Sequence, residues 1–260
     1  RPCLTDLDDA INYSRIYDRL MQLSLCVYTP SNYIFPSKLQ KYKDLTHNKG
    51  ENLTQTGRER GIQRLMSINL LKRLESSVNS FYLTLQRIIE LINHTIDAIN
   101  RFEKYGSTDI SIYEAKSEDL DMDDENTEFF TVGRKIKIDL VDMDWKSWRA
   151  ALQQDVDVIE QLTSMIANIT PEHDSKLQNL LQLLDAKITH PINPNNKKIL
   201  IFSAFSDTAE YLYDHVSKYV KDKYSLDTAV ITGSIDGRTT MKGFTATLNN
   251  VLTCFSPVSK

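Results

Sequence analysis

Residues 197–216 read KKILIFSAFSDTAEYLYDHV, and this stretch decides the fold class that the sequence predicts. Ile199–Phe202 is a short, unbroken apolar run, which is typical of a strand buried on both faces of a parallel sheet. Ser206 or Asp207 follows as a candidate N-cap, and the apolar residues after it recur at helical spacing. The stretch therefore predicts a strand, a tight turn and a helix.

A second apolar run, Thr228–Thr232, follows that helix and stops at Gly233-Ser234. A strand, a helix and a strand in this order and at this spacing predict one parallel strand–helix–strand crossover. Such crossovers occur in nucleotide-handling proteins, but the architecture alone does not define a function.

The amino-acid sequence of this unit resembles that of a known protein family. The segment KILIFSAFSDTAEYLYDHV, with DSKLQNLLQLL before it and AVITGS after it, is similar to the start of the second RecA-like domain of superfamily II helicases of the Swi/Snf type. Residues 65–88, LMSINLLKRLESSVNSFYLTLQRI, resemble the segment between the two motor domains of bacterial Snf-type helicases related to the RNA-polymerase-associated ATPase. The resemblance covers residues 58–100 and 170–235, and it implies an internal piece of a bacterial Snf-type ATPase.

The resemblance also implies what lies outside this piece. The first RecA-like domain would precede Arg1, and the arginine-bearing motifs would follow Lys260; ATP and Mg²⁺ would be bound by the parent enzyme. The sequence has no Gly-x-x-x-x-Gly-Lys-Ser/Thr phosphate loop, and Asp123–Asn126 matches an acidic helicase box in letters only, because no apolar strand precedes it. We therefore predict no catalytic residue in this chain and no ATPase activity of the chain alone.

The remaining sequence is predominantly helical in pattern. Apolar residues from Leu74 onward follow a coiled-coil spacing, which predicts one helix from Arg58 to Tyr105 that ends at Gly106 and is on the order of 70 Å long. A helix capped by Asp144 is its natural antiparallel partner. The predicted fold is thus mixed but mainly α: a long-helix antiparallel bundle followed by a partial RecA-like α/β unit. Its parts are a helical insertion with a long protruding helix at residues 1–105, an acidic linker and extended arm at 106–143, returning helices at 144–190, and a truncated second RecA-like domain at 191–260.

Net charge, cysteine content and the length of apolar runs argue against several classes of function. The net charge of −4 argues against a dedicated nucleic-acid-binding domain, although basic residues are concentrated in residues 58–73. The three cysteines, Cys3, Cys26 and Cys254, are odd in number and far apart, which argues against a disulfide framework and a zinc site and favours a cytoplasmic location. No apolar run has the length of a membrane span, so we expect no membrane partner. The five histidines show no metal-ligand spacing among themselves or with the cysteines, so we expect no metal site.

Two groups of residues are candidate nucleic-acid contacts. By resemblance, Ser203 and Phe205 would face a nucleic-acid backbone, and Gly233 and Ser234 would hold phosphate; Phe205 as a cover for the sheet and Gly233-Ser234 as a plain turn are the alternatives. The second group is basic and opens the long helix, where it either lies along a phosphate backbone or forms an ordinary solvated face. Its members are Arg58, Arg60, Arg64, Lys72 and Arg73.

The sequence supports two hypotheses for function. The first is a fragment of an ATP-dependent Snf-type DNA helicase or translocase that acts on double-stranded DNA, works against the first RecA-like domain of the same chain, and also contacts a protein partner. The second is a helical coiled-coil protein-interaction module with an α/β cap. The segment ILIFSAFSDTAEYL, which resembles the motif-four region of these helicases, favours the first hypothesis together with ITGS.

Overall fold

The computed structural model describes residues 3–7, 12–43, 55–106, 138–233 and 237–255. Within these ranges the chain forms eight α-helices and one two-stranded sheet, so the predicted mainly α class is confirmed. Most of the predicted acidic linker lies outside the described residues. The helices are α1 Tyr13–Leu20, α2 Leu39–Lys43, α3 Gln55–Ser76, α4 Val78–Tyr105, α5 Trp145–Ile166, α6 Ser175–Thr189, α7 Ser206–Tyr224 and α8 Leu248–Phe255, and the strands are β1 Ala229–Val230 and β2 Arg238–Thr239.

Helices α4 and α5 form the antiparallel pair at the centre of the main core. The Asp144 side chain accepts a hydrogen bond from the Ser147 amide and starts α5 as predicted, and Gly106 ends α4 with a φ of 64°, a conformation that glycine adopts without strain. The start of α5 lies at the end of α4, because the Trp145 ring packs edge-on against Phe102 with centroids 6.0 Å apart. The prediction that the helix capped by Asp144 runs back along α4 is therefore confirmed.

The predicted continuous helix from Arg58 to Tyr105 is wrong, because the chain breaks at Ser77. This residue is extended, with φ −156° and ψ 151°, and its hydroxyl accepts a hydrogen bond from the Ser80 amide to cap α4. The long protrusion on the order of 70 Å that one helix would form is therefore absent. We call residues 73–80, where α3 ends and α4 begins, the elbow.

The apolar seam of α4 is nevertheless buried. Its side chains pack mainly against α3 and α5, with exposures of 8% or less. A seam that is covered within the chain does not need a second molecule to bury it. The buried seam residues include Val78, Phe81, Leu85, Ile88, Ile92 and Ile99.

A second, smaller apolar cluster joins α6 and α7. Leu177, Leu184 and Ile188 on α6 pack with Val216 and Val220 on α7. Both helices match predicted segments. This cluster fixes α7 against α6.

The predicted parallel strand–helix–strand unit does not form within the described residues. Residues 199–202 run into α7 without belonging to a strand, and Leu200, Ile201 and Phe202 are 59%, 42% and 86% exposed instead of buried. Strand β1 pairs with β2 in antiparallel register, Ala229 opposite Thr239. A strand needs neighbours for its backbone hydrogen bonds, and no described segment supplies one to residues 199–202.

Candidate nucleic-acid interface

Three of the four residues predicted at the loops share one cleft. Ser203, Phe205 and Gly233 line a cleft of about 290 Å³ between the start of α7 and the end of β1, together with Ser206 and Thr232. Ser234 lies outside the described residues. The structure therefore brings residues of the two loops together, although the predicted parallel sheet is not formed.

The polar groups of the cleft come from a local turn and a helix end. The Ser203 hydroxyl donates to the Phe205 carbonyl at 3.1 Å, and the Phe205 amide donates back to Ser203 Oγ at 3.2 Å, which fixes the turn into α7. No side chain caps α7, whose N-cap residue is Phe205. Because the first amides of a helix carry partial positive charge, this arrangement is suited to an anionic group such as a phosphate.

Phe205 itself does not present its ring for stacking. Its side chain is buried, and the Arg73 guanidinium lies 4.6 Å from the ring centroid. Such a contact uses the ring face that a base would otherwise occupy. Phe205 therefore serves as a wall of the cleft, and its contact with a nucleic-acid backbone stays an expectation of the resemblance.

The basic group separates into exposed and buried members. Arg60, Arg64 and Lys72 are exposed on α3, whereas the Arg58 side chain lies outside the described residues. Arg73 is only 2% exposed. It does not belong to a surface that could follow a phosphate backbone, because its guanidinium is used inside the protein, and its assignment as a contact is corrected.

Arg73 takes part in an ion-pair cluster that the sequence interpretation missed. Arg87 Nη1 and Nη2 donate to the two carboxylate oxygens of Asp207 at 2.7 and 2.9 Å, and Arg73 Nη1 donates to Asp207 Oδ2 at 2.8 Å. Burial works to raise the pKa of Asp207, but the hydrogen bond and charge of Arg87, with Arg73, outweigh it and hold that pKa below its usual value. We call Arg73, Arg87 and Asp207 the arginine clamp.

A hydroxyl cluster lies next to the clamp. The Ser76 and Ser77 hydroxyls are hydrogen-bonded to Thr208 Oγ1 at 2.8 and 3.1 Å. Ser77 and Thr208 are 4% exposed. The hydroxyl residues of this contact are visible in the sequence segments LLKRLESS and FSDT. Neither segment alone predicts that the two are in contact.

The described residues give no geometry for a metal or a membrane span. No group of three or more His, Cys, Asp or Glu side chains among them is arranged to hold a metal ion. Nor does any helix in the described ranges combine the length and apolar character required to cross a bilayer. ATP and Mg²⁺ therefore remain expectations for the parent enzyme, implied by the resemblance alone.

Searches of protein-family models, curated proteins and solved structures found no match to this chain. The Snf-type resemblance thus depends on the quoted segments. What it implies about function is argued below from those segments and from the geometry of the cleft.

Proposed function

We propose that this chain is the helical arm and the start of the second RecA-like domain of an ATP-dependent Snf-type DNA translocase. One observation carries the proposal: the two segments of the resemblance, residues 65–88 and 197–216, meet in the fold. They meet through Arg73 and Asp207, which are 134 positions apart, beside the cleft that begins α7. This contact supports the proposal because it joins the two segments on which the resemblance depends.

The exposed residues 199–202 support the RecA-like part of the proposal. We expect the apolar side chains of a central strand to be exposed when the neighbouring strands that would pair with it are absent. In a complete RecA-like domain, further strands would pair with this run and cover Leu200 and Phe202. The order of extended run, helix α7 and strand β1 already follows that of the family.

We propose double-stranded DNA as the track. Arg60 and Arg64 lie one helical turn apart on the exposed side of α3, and the cleft at Ser203 offers amides and hydroxyls to a phosphate. In the parent motor, ATP and Mg²⁺ would bind elsewhere and would close the two RecA-like domains on each other, which moves the duplex by a step. With this activity and substrate, we propose a cytoplasmic location.

The alternative function, a coiled-coil interaction module, has less support. It depended on an apolar seam that requires an external partner. Helix α5 covers the seam of α4 within the chain, and Phe81 and Ile92 are 0% exposed. The surface left on α4 is therefore not a coiled-coil interface.

The first experiment measures binding of the chain to a fluorescently labelled DNA duplex by anisotropy at several salt concentrations. The double variant Arg60→Glu/Arg64→Glu should bind more weakly. Its log–log salt dependence should fall by roughly 2, since each phosphate contact contributes about 0.9. The matched control is Arg15→Glu/Arg19→Glu, which reverses two exposed arginines at the same spacing on α1.

An unchanged affinity in the α3 variant would refute the proposed contact, and an equal loss in both double variants would show that only the net charge matters. Wild-type chain that does not bind duplex at low salt would contradict the proposed function as a whole. The folding of each variant is checked by its thermal unfolding midpoint.

A further inference from the structure

We propose that Asp207 is a positioning residue that locks the elbow onto the first turn of α7 and thereby holds the wall of the cleft in place. The lock itself does not depend on what the cleft binds. Its effect on DNA affinity does depend on the proposed function. The inference goes beyond that function because it assigns a role to residues that touch neither DNA nor nucleotide.

The first step of the argument is the geometry of the carboxylate. Asp207 receives two parallel hydrogen bonds from Arg87 on α4 and a third from Arg73 on α3. Its side chain is 12% exposed, and that of Arg73 is 3% exposed. Paired charges in a desolvated site are strongly interdependent, because removal of one leaves the other buried without compensation.

The second step is that one carboxylate joins three helices. Arg73 lies before the break at Ser77, Arg87 lies after it, and Asp207 opens α7. The neighbouring hydroxyl bonds to Thr208 follow the same pattern, from Ser76 at the end of α3 and Ser77 at the cap of α4. The angle between α3 and α4 is therefore tied to the position of α7.

The third step leads from the clamp to the cleft. The Arg73 guanidinium that binds Asp207 also lies over the Phe205 ring, and the Phe205 backbone exchanges hydrogen bonds with the Ser203 hydroxyl. Ser203 and Phe205 both line the cleft. Arg73 also donates to Asn69 Oδ1 and Ser80 Oγ at 3.2 Å. Loss of the carboxylate would therefore loosen Arg73 without freeing it, and would weaken the support that its guanidinium gives to Phe205 and to the turn that shapes the cleft.

The test is hydrogen exchange of the Asp207→Asn chain, followed by mass spectrometry. We expect exchange to become about ten- to a hundredfold faster in two separate segments, the elbow and the first turn of α7, since a hydrogen bond to a charged group is lost at their contact. Exchange in α5 should stay unchanged. The matched control is Asp185→Asn, which removes a carboxylate that Lys223 pairs with near the other end of α7.

Arg87→Met is the second variant, because its side chain is 32% exposed and its removal leaves Arg73 paired. This variant should accelerate hydrogen exchange in the same two segments, by a smaller factor than Asp207→Asn does. Unchanged exchange in both segments for both variants would overturn the proposal. So would faster exchange throughout the chain in both variants, because that pattern reports loss of general stability and not release of a lock.

DNA affinity supplies a readout that a merely structural role would not move. Measured well below the unfolding temperature, Asp207→Asn should bind duplex more weakly on the order of fivefold, the size of a typical coupling between sites, while Asp185→Asn binds as wild type. Equal affinity of Asp207→Asn and wild type would refute the link from the clamp to the cleft. If the wild-type chain does not bind DNA, the proposed function fails, whereas hydrogen exchange still decides whether the lock exists.

Discussion

Single aspartates connect distant parts of this chain. Asp155 accepts hydrogen bonds from the Ser24 amide at 2.7 Å and the Cys26 amide at 3.0 Å, more than a hundred positions away. Asp207 accepts hydrogen bonds from two arginines, and Asp185 accepts hydrogen bonds from three side chains of α7. A carboxylate can accept several hydrogen bonds at once, so each of these residues fixes a loop or a helix end that apolar packing alone would leave loose.

Asp185 makes the stability of the α6–α7 contact depend on pH. Hydrogen bonds from Lys223, Tyr219 and Tyr224 lower the pKa of Asp185 to about 2. Because the folded pKa lies below the unfolded value of about 3.9, the stabilisation is complete above that value and is lost as the pH falls toward 2. We expect Asp185→Asn to lower the thermal unfolding midpoint at neutral pH and to have progressively less effect as the medium is acidified.

The control for this prediction is Asp97→Asn, an exposed aspartate on α4. Unfolding midpoints of wild type and both variants would be compared at neutral pH and in steps down to about pH 2. A deficit of Asp185→Asn that stays constant over this range would contradict the assigned origin of the stabilisation.

At the scale of elements, the break at Ser77 organises the molecule. It converts one long amphipathic pattern into two helices and places the ends of both beside α7. The Ser77 hydroxyl has two roles, as the cap of α4 toward the Ser80 amide at 3.0 Å and as a partner of Thr208. Ser77 therefore both caps α4 and contacts α7.

Ser77→Ala should lower the free energy of unfolding by about 1–2 kcal/mol, from the loss of the N-cap and of a buried hydrogen bond. Urea unfolding followed by circular dichroism measures this change. Ser67→Ala is the control, since the exposed Ser67 hydroxyl on α3 donates only to the Gln63 carbonyl of its own helix. A loss no greater than that of the control would argue against the capping role.

At the scale of the whole molecule, the apolar side chains of the two helical clusters are buried, whereas those of residues 200–202 are exposed. The main cluster around α4 and α5 is closed, and the smaller cluster between α6 and α7 adjoins it. Beyond the small cluster, residues 199–202 leave large apolar side chains in solvent. A contiguous exposed run of this kind is a natural place for a further strand to pair.

We expect the chain to self-associate reversibly as its concentration rises, through this exposed run. Phe202→Lys should weaken the association and leave the unfolding midpoint unchanged, because Phe202 is 86% exposed and contributes little to the core. Sedimentation velocity over a range of concentrations measures the effect. Val141→Lys, which changes a 67% exposed apolar residue elsewhere, should associate like wild type; equal behaviour of the two variants would contradict the assignment.

The elements that could be predicted are those with local signals. Asp144 and Gly106 mark helix ends because their own side chain or backbone freedom satisfies the terminal groups, and the seam of α4 follows from residue spacing. Ser203 and Gly233 were singled out by the resemblance, and the structure places both in one cleft. The clamp was not, because Arg87 in a helical pattern resembles any surface arginine until its partner is known.

By itself, the sequence determined which segments are helical, where several of them begin and end, and which apolar face of α4 is buried, because caps and apolar periodicity act over a few residues. Only the tertiary structure decided that Arg73 is internal, that Phe205 is a wall, that the helix breaks at Ser77 and that residues 199–202 remain exposed. Each of these outcomes depends on a partner far away in the chain or on the lack of one among the described residues. The free energy of burying a charge or pairing a strand is set by that partner and not by the residue's neighbours in sequence.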